Sequence, residues 1–346
     1  MRADRLAPGL ALSMARIQPL RRRLRRLRRS ELLRDAVADV VVRPQMLIYP
    51  MFVGHMPAPR PVASMPGVSQ WPVADAVARI GQLAGLGLNQ FLLFGVTCPP
   101  RKDPAGNYAA DPDAPVNRVI SELRQADAPV VLHADLCLCE YTDHGHCGLL
   151  QEPDVGWVVD NDRTLDQLAR TAVAQARAGA DLVAPSGMMD GQVATIRAAL
   201  DAAGFNHVAI MAYSAKYASN LYGPFREAGQ GAMQFGDRRG YQMDFRRSSE
   251  WRRAIEADIA QGADIVMVKP ALTYLDILHQ VHQSATVPVS AFHVSGEYAM
   301  LHAAADRGWL EFKPAVMEQT TAIARAGADL ILTYFAPQLV EWLHER

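Results

Sequence analysis

From Gln45 onward the chain alternates short apolar, β-branched runs with longer stretches in which apolar residues recur every three or four positions. The first pattern predicts strands buried on both faces, the second amphipathic helices. Strands are expected at Gln45–Val53, Gln90–Val96, Pro129–Asp135, Asp181–Pro185, Val208–Tyr213, Asp264–Lys269, Val287–Val294 and Asp329–Phe335. Helices are expected between and after them, at Val73–Leu86, Ala114–Ala126, Thr164–Ala178, Asp190–Ala203, Ser249–Gln261, Tyr274–Gln283, Glu297–Arg307 and Lys313–Ala326. Three helix-to-strand joints share a phrase, AGADLV (178–183), QGADIV (261–266) and AGADLI (326–331). In each, the glycine ends the helix in a left-handed cap and an apolar strand follows. Eight strand–helix pairs predict an α/β fold of the (β/α)8 TIM-barrel type rather than a doubly wound sheet. No GxGxxG or GxxxxGK[ST] phosphate loop supports the alternative.

Ahead of this rhythm the pattern is different. Residues 1–30 hold ten arginines and one acid, Asp4, leaving 25 basic against 35 acidic residues for the rest of a 346-residue chain of net charge −1. So dense an arginine run could contact nucleic acid, act as a transit peptide or lie on an acidic surface, and the body of the protein is such a surface. With Pro8 and Pro19 in it, the segment is read as an extended arm on a neighbouring subunit. The expected organisation is an arm over residues 1–40, with a short helix at Ser30–Ala38 capped by Ser30, and a barrel over 41–346. Half the residues are hydrophobic and no apolar run is long enough to span a bilayer, so a cytoplasmic protein is expected, with neither membrane nor nucleic acid as partner.

In a barrel of this kind the functional groups lie at the ends of the strands and in the loops that follow. Two lysines stand there. DIVMVKPAL is a buried strand ending at Lys269, and AIMAYSAKYAS is another followed closely by Lys216; the chain has only two further lysines, Lys102 and Lys313. Desolvation and a neighbouring cation both lower an amine's pKa, leaving a neutral nucleophile able to form an imine with a ketone. A strand-end lysine alone would more often be an ion-pair partner at the rim. Two among four change that balance.

The third strand leads into ADLCLCEYTDHGHCG, where Cys137, Cys139 and Cys147 lie beside His144 and His146. Three soft thiolates suit zinc and leave a fourth position open, as in a catalytic site. Buried free cysteines are the plainer alternative, which three thiols in a polar, glycine-containing loop make less attractive. Cys98 lies apart and is read as a bystander. Asp135 could move a proton or orient a lysine, or be a strand-end hydrogen-bonding group. The long connection from about 215 to 245 is a candidate lid carrying Arg226, Arg238, Arg239 and Gln242; arginine forks suit carboxylates, and a solvated charged loop is the plainer alternative. Ser295 and Tyr334 end the seventh and eighth strands with hydroxyls that could bind a carboxylate, or be an ordinary cap and a rim tyrosine.

In chain order, the RRLRR arm, DLCLCEYTDHGHCG, SAKYAS, YGPFR, GDRRGYQMD, VMVKPAL and VSGEYAM resemble the δ-aminolevulinic acid dehydratase (porphobilinogen synthase) family, from about Arg21 to the C-terminus. The resemblance implies a (β/α)8 barrel that condenses two 5-aminolevulinate molecules to porphobilinogen for haem synthesis, assembled as a homo-octamer whose arm wraps a neighbour. By motif, Lys269 resembles the lysine holding the P-side substrate as a Schiff base, and Lys216 the one holding the A-side substrate. Ser295 and Tyr334 resemble the P-side carboxylate site, and Arg226, Arg238 and Gln242 the A-side clamp. Cys137, Cys139 and Cys147 resemble the zinc-binding triad, and Asp135 a carboxylate near the A-side chemistry.

Two departures stand out. APSGMMDGQV has Gly187 where many members carry aspartate and Gln192 where many carry arginine, so no catalytic role is assigned to Gly187. Members with an allosteric magnesium often carry a glutamate where this chain has Ala254, and MDFRRSS replaces the more usual MDPAN, which counts against magnesium activation. A one-lysine aldolase-like barrel is opposed by the second lysine and the cysteine triad. A zinc- and RNA-binding protein is opposed by an arm without interleaved aromatics.

Overall fold

The computed structural model describes residues 23–151 and 158–345. They form two compact units divided between Val41 and Val42. In the first, the short helix α1 (Glu31–Ala36) follows a single 3-10 turn at Arg26–Arg28, and the Ser30 Oγ accepts the Leu33 N–H at 3.3 Å as its N-cap. Residues 1–22 of the expected arm lie outside the described residues.

The second unit is a barrel. It opens with β1 (Leu47–Gly54), a small antiparallel hairpin of β2 (Arg60–Pro61) and β3 (Ser69–Pro72), then α2 (Val73–Gly85). The alternation then runs β4 (Gln90–Val96), α3 (Pro115–Gln125), β5 (Val131–Leu136), α4 (Asn161–Ala178), β6 (Leu182–Pro185), α5 (Gln192–Ala202) and β7 (Ala209–Lys216). After a short α6 (Gly223–Ala228) come α7 (Glu250–Ala260), β8 (Ile265–Lys269), α8 (Leu275–Ser284), β9 (Val289–His293), α9 (Ser295–Asp306), α10 (Phe312–Ala326), β10 (Leu330–Thr333) and α11 (Ala336–His344). β1, β4, β5, β6, β7, β8, β9 and β10 pair in parallel in that order, and β10 returns to β1, so the sheet closes. This is the expected (β/α)8 barrel. Closure follows from composition: β1 is buried at every position, and a strand apolar on both faces needs helices outside and other strands' side chains inside.

The joints behave as their glycines dictate. Gly179 and Gly327 cap α4 and α10 at φ of 105° and 113°, and Gly262 follows α7 at 101°. One aspartate after each joint ties strand to strand: the Oδ2 atoms of Asp181, Asp264 and Asp329 accept the N–H groups of Leu132, Ile210 and Val289 at 2.7, 2.8 and 2.8 Å. The repeated GAD phrase thus encodes both the stop of a helix and the register of the next strand.

Periodicity did not announce every element. The β2–β3 hairpin, α6 and α11 were not expected, and β7 runs three residues past the predicted Tyr213, so Lys216 is its last residue rather than part of the following loop. Its pairing with β8 is irregular between Ala212 and Ala215. That stretch, Ala-Tyr-Ser-Ala, reads as a strand end because a bulge breaks the alternation on which strand prediction rests.

Candidate active site

Lys216 and Lys269 are the terminal residues of adjacent strands and are paired in register. Both are buried, and both amines face the ring of Tyr213, at 5.4 Å for Lys216 and 5.0 Å for Lys269. The Lys216 Nζ donates to the Ser186 carbonyl at 2.6 Å. The Lys269 amine sits in an aromatic cage, 4.0 Å from the centroid of Phe292, 5.2 Å from Phe225 and 5.3 Å from Tyr222. Two effects oppose each other in that cage. Ring faces favour the ammonium form by about 2 kcal/mol when desolvated, while burying an ammonium costs several kcal/mol. Desolvation wins, and the positive charge of Lys216 adds to it, so Lys269 is held well below the usual lysine pKa of 10.5.

Asp135, on β5, completes this cluster. It is buried with one oxygen unpartnered. Burial, then the neighbouring Glu140 carboxyl, push its pKa up to about 8 against the opposing pull of Lys216 and Lys269.

The loop after β5 folds Cys137, Cys139 and Cys147 together, with their sulfurs within 4.8 Å of one another and those of Cys137 and Cys139 3.3 Å apart. All three are buried and none is in a disulfide. Hydrogen bonds from its two neighbours, aided by Arg238 and Lys216, hold the Cys147 thiol well below its ordinary pKa. A buried trio of converging sulfur donors with one already favoured as thiolate fits a thiophilic cation. The histidines do not join it: the His144 ring meets the Pro104 carbonyl at 3.2 Å, and the His146 ring the Phe235 carbonyl at 3.1 Å and the Tyr241 hydroxyl at 3.2 Å. Cys98 is exposed.

The connection after β7 lies directly on the cysteine loop. Lys102 Nζ donates to the Gln230 carbonyl at 2.7 Å, Gln70 Nε2 to Ala228 at 2.6 Å, and Gln234 Nε2 to Asp143 at 2.7 Å. Arg238 Nη2 bridges the two segments, reaching the Gly145 carbonyl at 3.0 Å and that of Gly231 at 2.9 Å. Gly145 has φ of 75°, and a Cβ there would lie 2.4 Å from the Ala232 carbonyl oxygen, so only glycine allows this approach. A cavity of about 630 Å³ is lined by Arg226, Arg238, Gln242 and Tyr274 among others. Arg238 Nε and Gln242 Nε2 are buried donors without partners, a condition that an oxyanion relieves.

On the other side, Ser295 opens α9, and its Oγ accepts the Phe225 N–H at 3.0 Å. Tyr334 follows β10 with its hydroxyl buried and unpartnered, its ring stacked on Phe52 at 6.1 Å and also 6.1 Å from Phe292, the ring against Lys269. Sequence reading missed Tyr213, Ser186, Phe292, Glu140 and Lys102. None carries a signature of its own; each matters through what the closed barrel sets beside it.

A closed (β/α)8 barrel with paired buried lysines and a thiol cluster at the strand ends defines a class: barrel proteins that carry their functional groups at the C-terminal ends of the strands. Comparison with known proteins narrows it. Residues 21–342 match the profile of the family described as Delta-aminolevulinic acid dehydratase, and the chain belongs to that family. Relatives of that name from Synechococcus elongatus and Bacillus subtilis are 49% and 44% identical over 93% of this chain and 98% of theirs. The solved structure of the Toxoplasma gondii δ-aminolevulinic acid dehydratase (porphobilinogen synthase), in complex with the reaction product porphobilinogen, is 41% identical with a TM-score of 0.92, covering 94% of this chain and 93% of that one.

Proposed function

We propose that this chain is a porphobilinogen synthase, a lyase that joins two 5-aminolevulinate molecules into porphobilinogen and releases two waters. The observation that carries this reading is the register pairing of Lys216 and Lys269, two buried amines at one end of one barrel. Two ketones to be joined call for two amines, each forming an imine with loss of water and each released again before the product leaves.

Lys269, the amine of lowered pKa in the aromatic cage, takes the P-side ketone, and Lys216 takes the A-side ketone. Ser295 and Tyr334 receive the P-side carboxylate; the unpartnered Tyr334 hydroxyl supports this. Arg226, Arg238 and Gln242 receive the A-side carboxylate, which the orphan donors of Arg238 and Gln242 support. Asp135 stands beside both amines to carry protons while C–C and C–N bonds form. Cys137, Cys139 and Cys147 would hold zinc, which supplies a Lewis acid next to the A-side amine when bound. The docked lid excludes water from the imines.

We read the enzyme as a homo-octamer in which the arm, with Leu24, Leu27 and Leu32 exposed, lies on a neighbouring subunit. No helix among the described residues is long and apolar enough to cross a membrane, and four free cysteines suit a reducing cytoplasm. No magnesium site is assigned at Ala254.

The test is porphobilinogen formation from 5-aminolevulinate, before and after zinc chelation and with zinc restored. Product that disappears on chelation and returns with zinc is the expected result. Product indifferent to chelation overturns the zinc assignment, and no product from folded, zinc-loaded protein overturns the function.

A further inference from the structure

Glu297 lies in the first turn of α9 with 1% of its surface exposed. One carboxylate oxygen does a helix's ordinary work: Oε2 accepts the Val294 N–H at 2.8 Å, bonding back to the residue that precedes the helix. The other oxygen does something no helix cap requires. Oε1 accepts the Leu272 N–H at 2.8 Å, on the loop three residues past Lys269. A buried carboxylate is costly unless well bonded, and here the bonds that make it tolerable come from two different strand-end loops.

Those loops carry the two groups read above as the ends of one substrate site. Lys269 immediately precedes the first, and Ser295 stands between Val294 and Glu297 in the second. Nor is the second loop free to move alone. A Cβ on Gly296 would lie 2.6 Å from the Leu221 carbonyl oxygen, so the start of α9 is pressed against the start of the lid. Through Glu297, the β8 loop is fixed to the same assembly.

We propose that Glu297 is a positioning residue: by locking the loop after β8 to the N-terminus of α9, it sets the spacing between the Lys269 amine and the Ser295 hydroxyl to suit the ketone and carboxylate of a 4-oxo acid. The proposal rests on the assignment of Lys269 and Ser295 to one substrate molecule. Glu297 touches neither substrate nor reacting atom, and acts only through the geometry of the two loops.

The test compares two ketones at Lys269 in zinc-loaded enzyme. Levulinate has the substrate's ketone and carboxylate without its amine; 2-butanone has the ketone without the carboxylate. Borohydride reduction traps either imine, and the mass of the Lys269 peptide reports the yield. In Glu297→Gln, one acceptor is replaced by an amide N–H facing a backbone N–H, so one loop loses its bond. The preference for levulinate over 2-butanone is expected to fall by roughly tenfold, the equivalent of one hydrogen bond, with 2-butanone trapping changed less than about threefold. Glu297→Asp keeps the charge with a shorter reach and is expected to fall in between. Equal loss for both ketones, or an unchanged preference, overturns the proposal, because a structural role alone does not distinguish the two. Should Glu297→Gln fail to fold, Glu297→Asp is judged by the same ratio. Wild-type enzyme that traps neither ketone at Lys269 removes the functional reading of that lysine, and the proposal with it. A wild-type preference lost only in the variants isolates the positioning role.

Discussion

Lys216 and Lys269 are partners in strand register, and both amines face the Tyr213 ring, at 5.4 and 5.0 Å from its centroid. The lowered pKa of Lys269 rests first on burial and second on the charge of Lys216. The sign of a test follows. The amine must be neutral to attack, so a lower pKa enlarges the reactive fraction at neutral pH. In Lys216→Met the like charge is gone and the Lys269 pKa rises. The pH midpoint for borohydride trapping of levulinate at Lys269 is therefore expected well below 10.5 in the wild type and higher in the variant, with slower trapping at pH 7. A midpoint that stays fixed or falls would refute the coupling.

Removing the amines themselves separates chemistry from folding. Lys269→Ala and Lys216→Ala are each expected to lower the rate of porphobilinogen formation by roughly a thousandfold or more, since residues acting as a unit fail together. Both proteins should retain cooperative thermal unfolding, because a buried amine is a liability to stability rather than a support. Activity within about tenfold of wild type in Lys216→Ala would favour a one-lysine mechanism.

The cysteine trio predicts a stoichiometry. Wild-type protein is expected to bind one zinc ion tightly at the three sulfurs within 4.8 Å of one another, and Cys137→Ser, Cys139→Ser or Cys147→Ser to lose it on dialysis together with activity. Metal analysis beside the assay checks this. A variant that keeps both its zinc and its rate excludes that sulfur from the site.

The connection after β7 is held by backbone carbonyls as much as by side chains. Arg238→Met removes a charged donor from the Gly145 and Gly231 carbonyls, each such bond worth about 1.5–3 kcal/mol. Gly145→Ala sets a methyl group against the Ala232 carbonyl oxygen at a positive φ. Both are expected to speed amide hydrogen exchange across residues 228–242 and to raise KM, while the barrel core keeps its protection. Protection of the lid unchanged in Gly145→Ala would show that the two loops can part without cost.

Much of this was legible in the chain. Apolar runs marked all eight barrel strands, the GAD joints marked helix ends, and DLCLC with HGHC gathered the three thiols locally. Such features depend on neighbours a few residues apart, where periodicity and turn chemistry act directly. The resemblance to known motifs then attached roles to Lys216, Lys269, Arg226, Arg238, Gln242, Ser295 and Tyr334.

Tyr213 was not legible. It lies three residues before Lys216, and regular strand alternation would send the two side chains to opposite faces. The register shift between Ala212 and Ala215 puts the ring beside both amines instead. Glu297 enters the sequence reading only as the first residue of a predicted helix, and its bond to Leu272, twenty-five residues earlier, exists only once two loops meet. By itself the sequence determined which segments are buried, where helices stop and which residues can do chemistry, because burial pattern and functional groups are properties of the chain. Only the tertiary structure decided that one amine is desolvated beside another, that three thiols converge, and that the connection after β7 packs on the loop that carries them. Desolvation and Coulomb interaction depend on distances between residues far apart in sequence, and closing the barrel is what sets those distances.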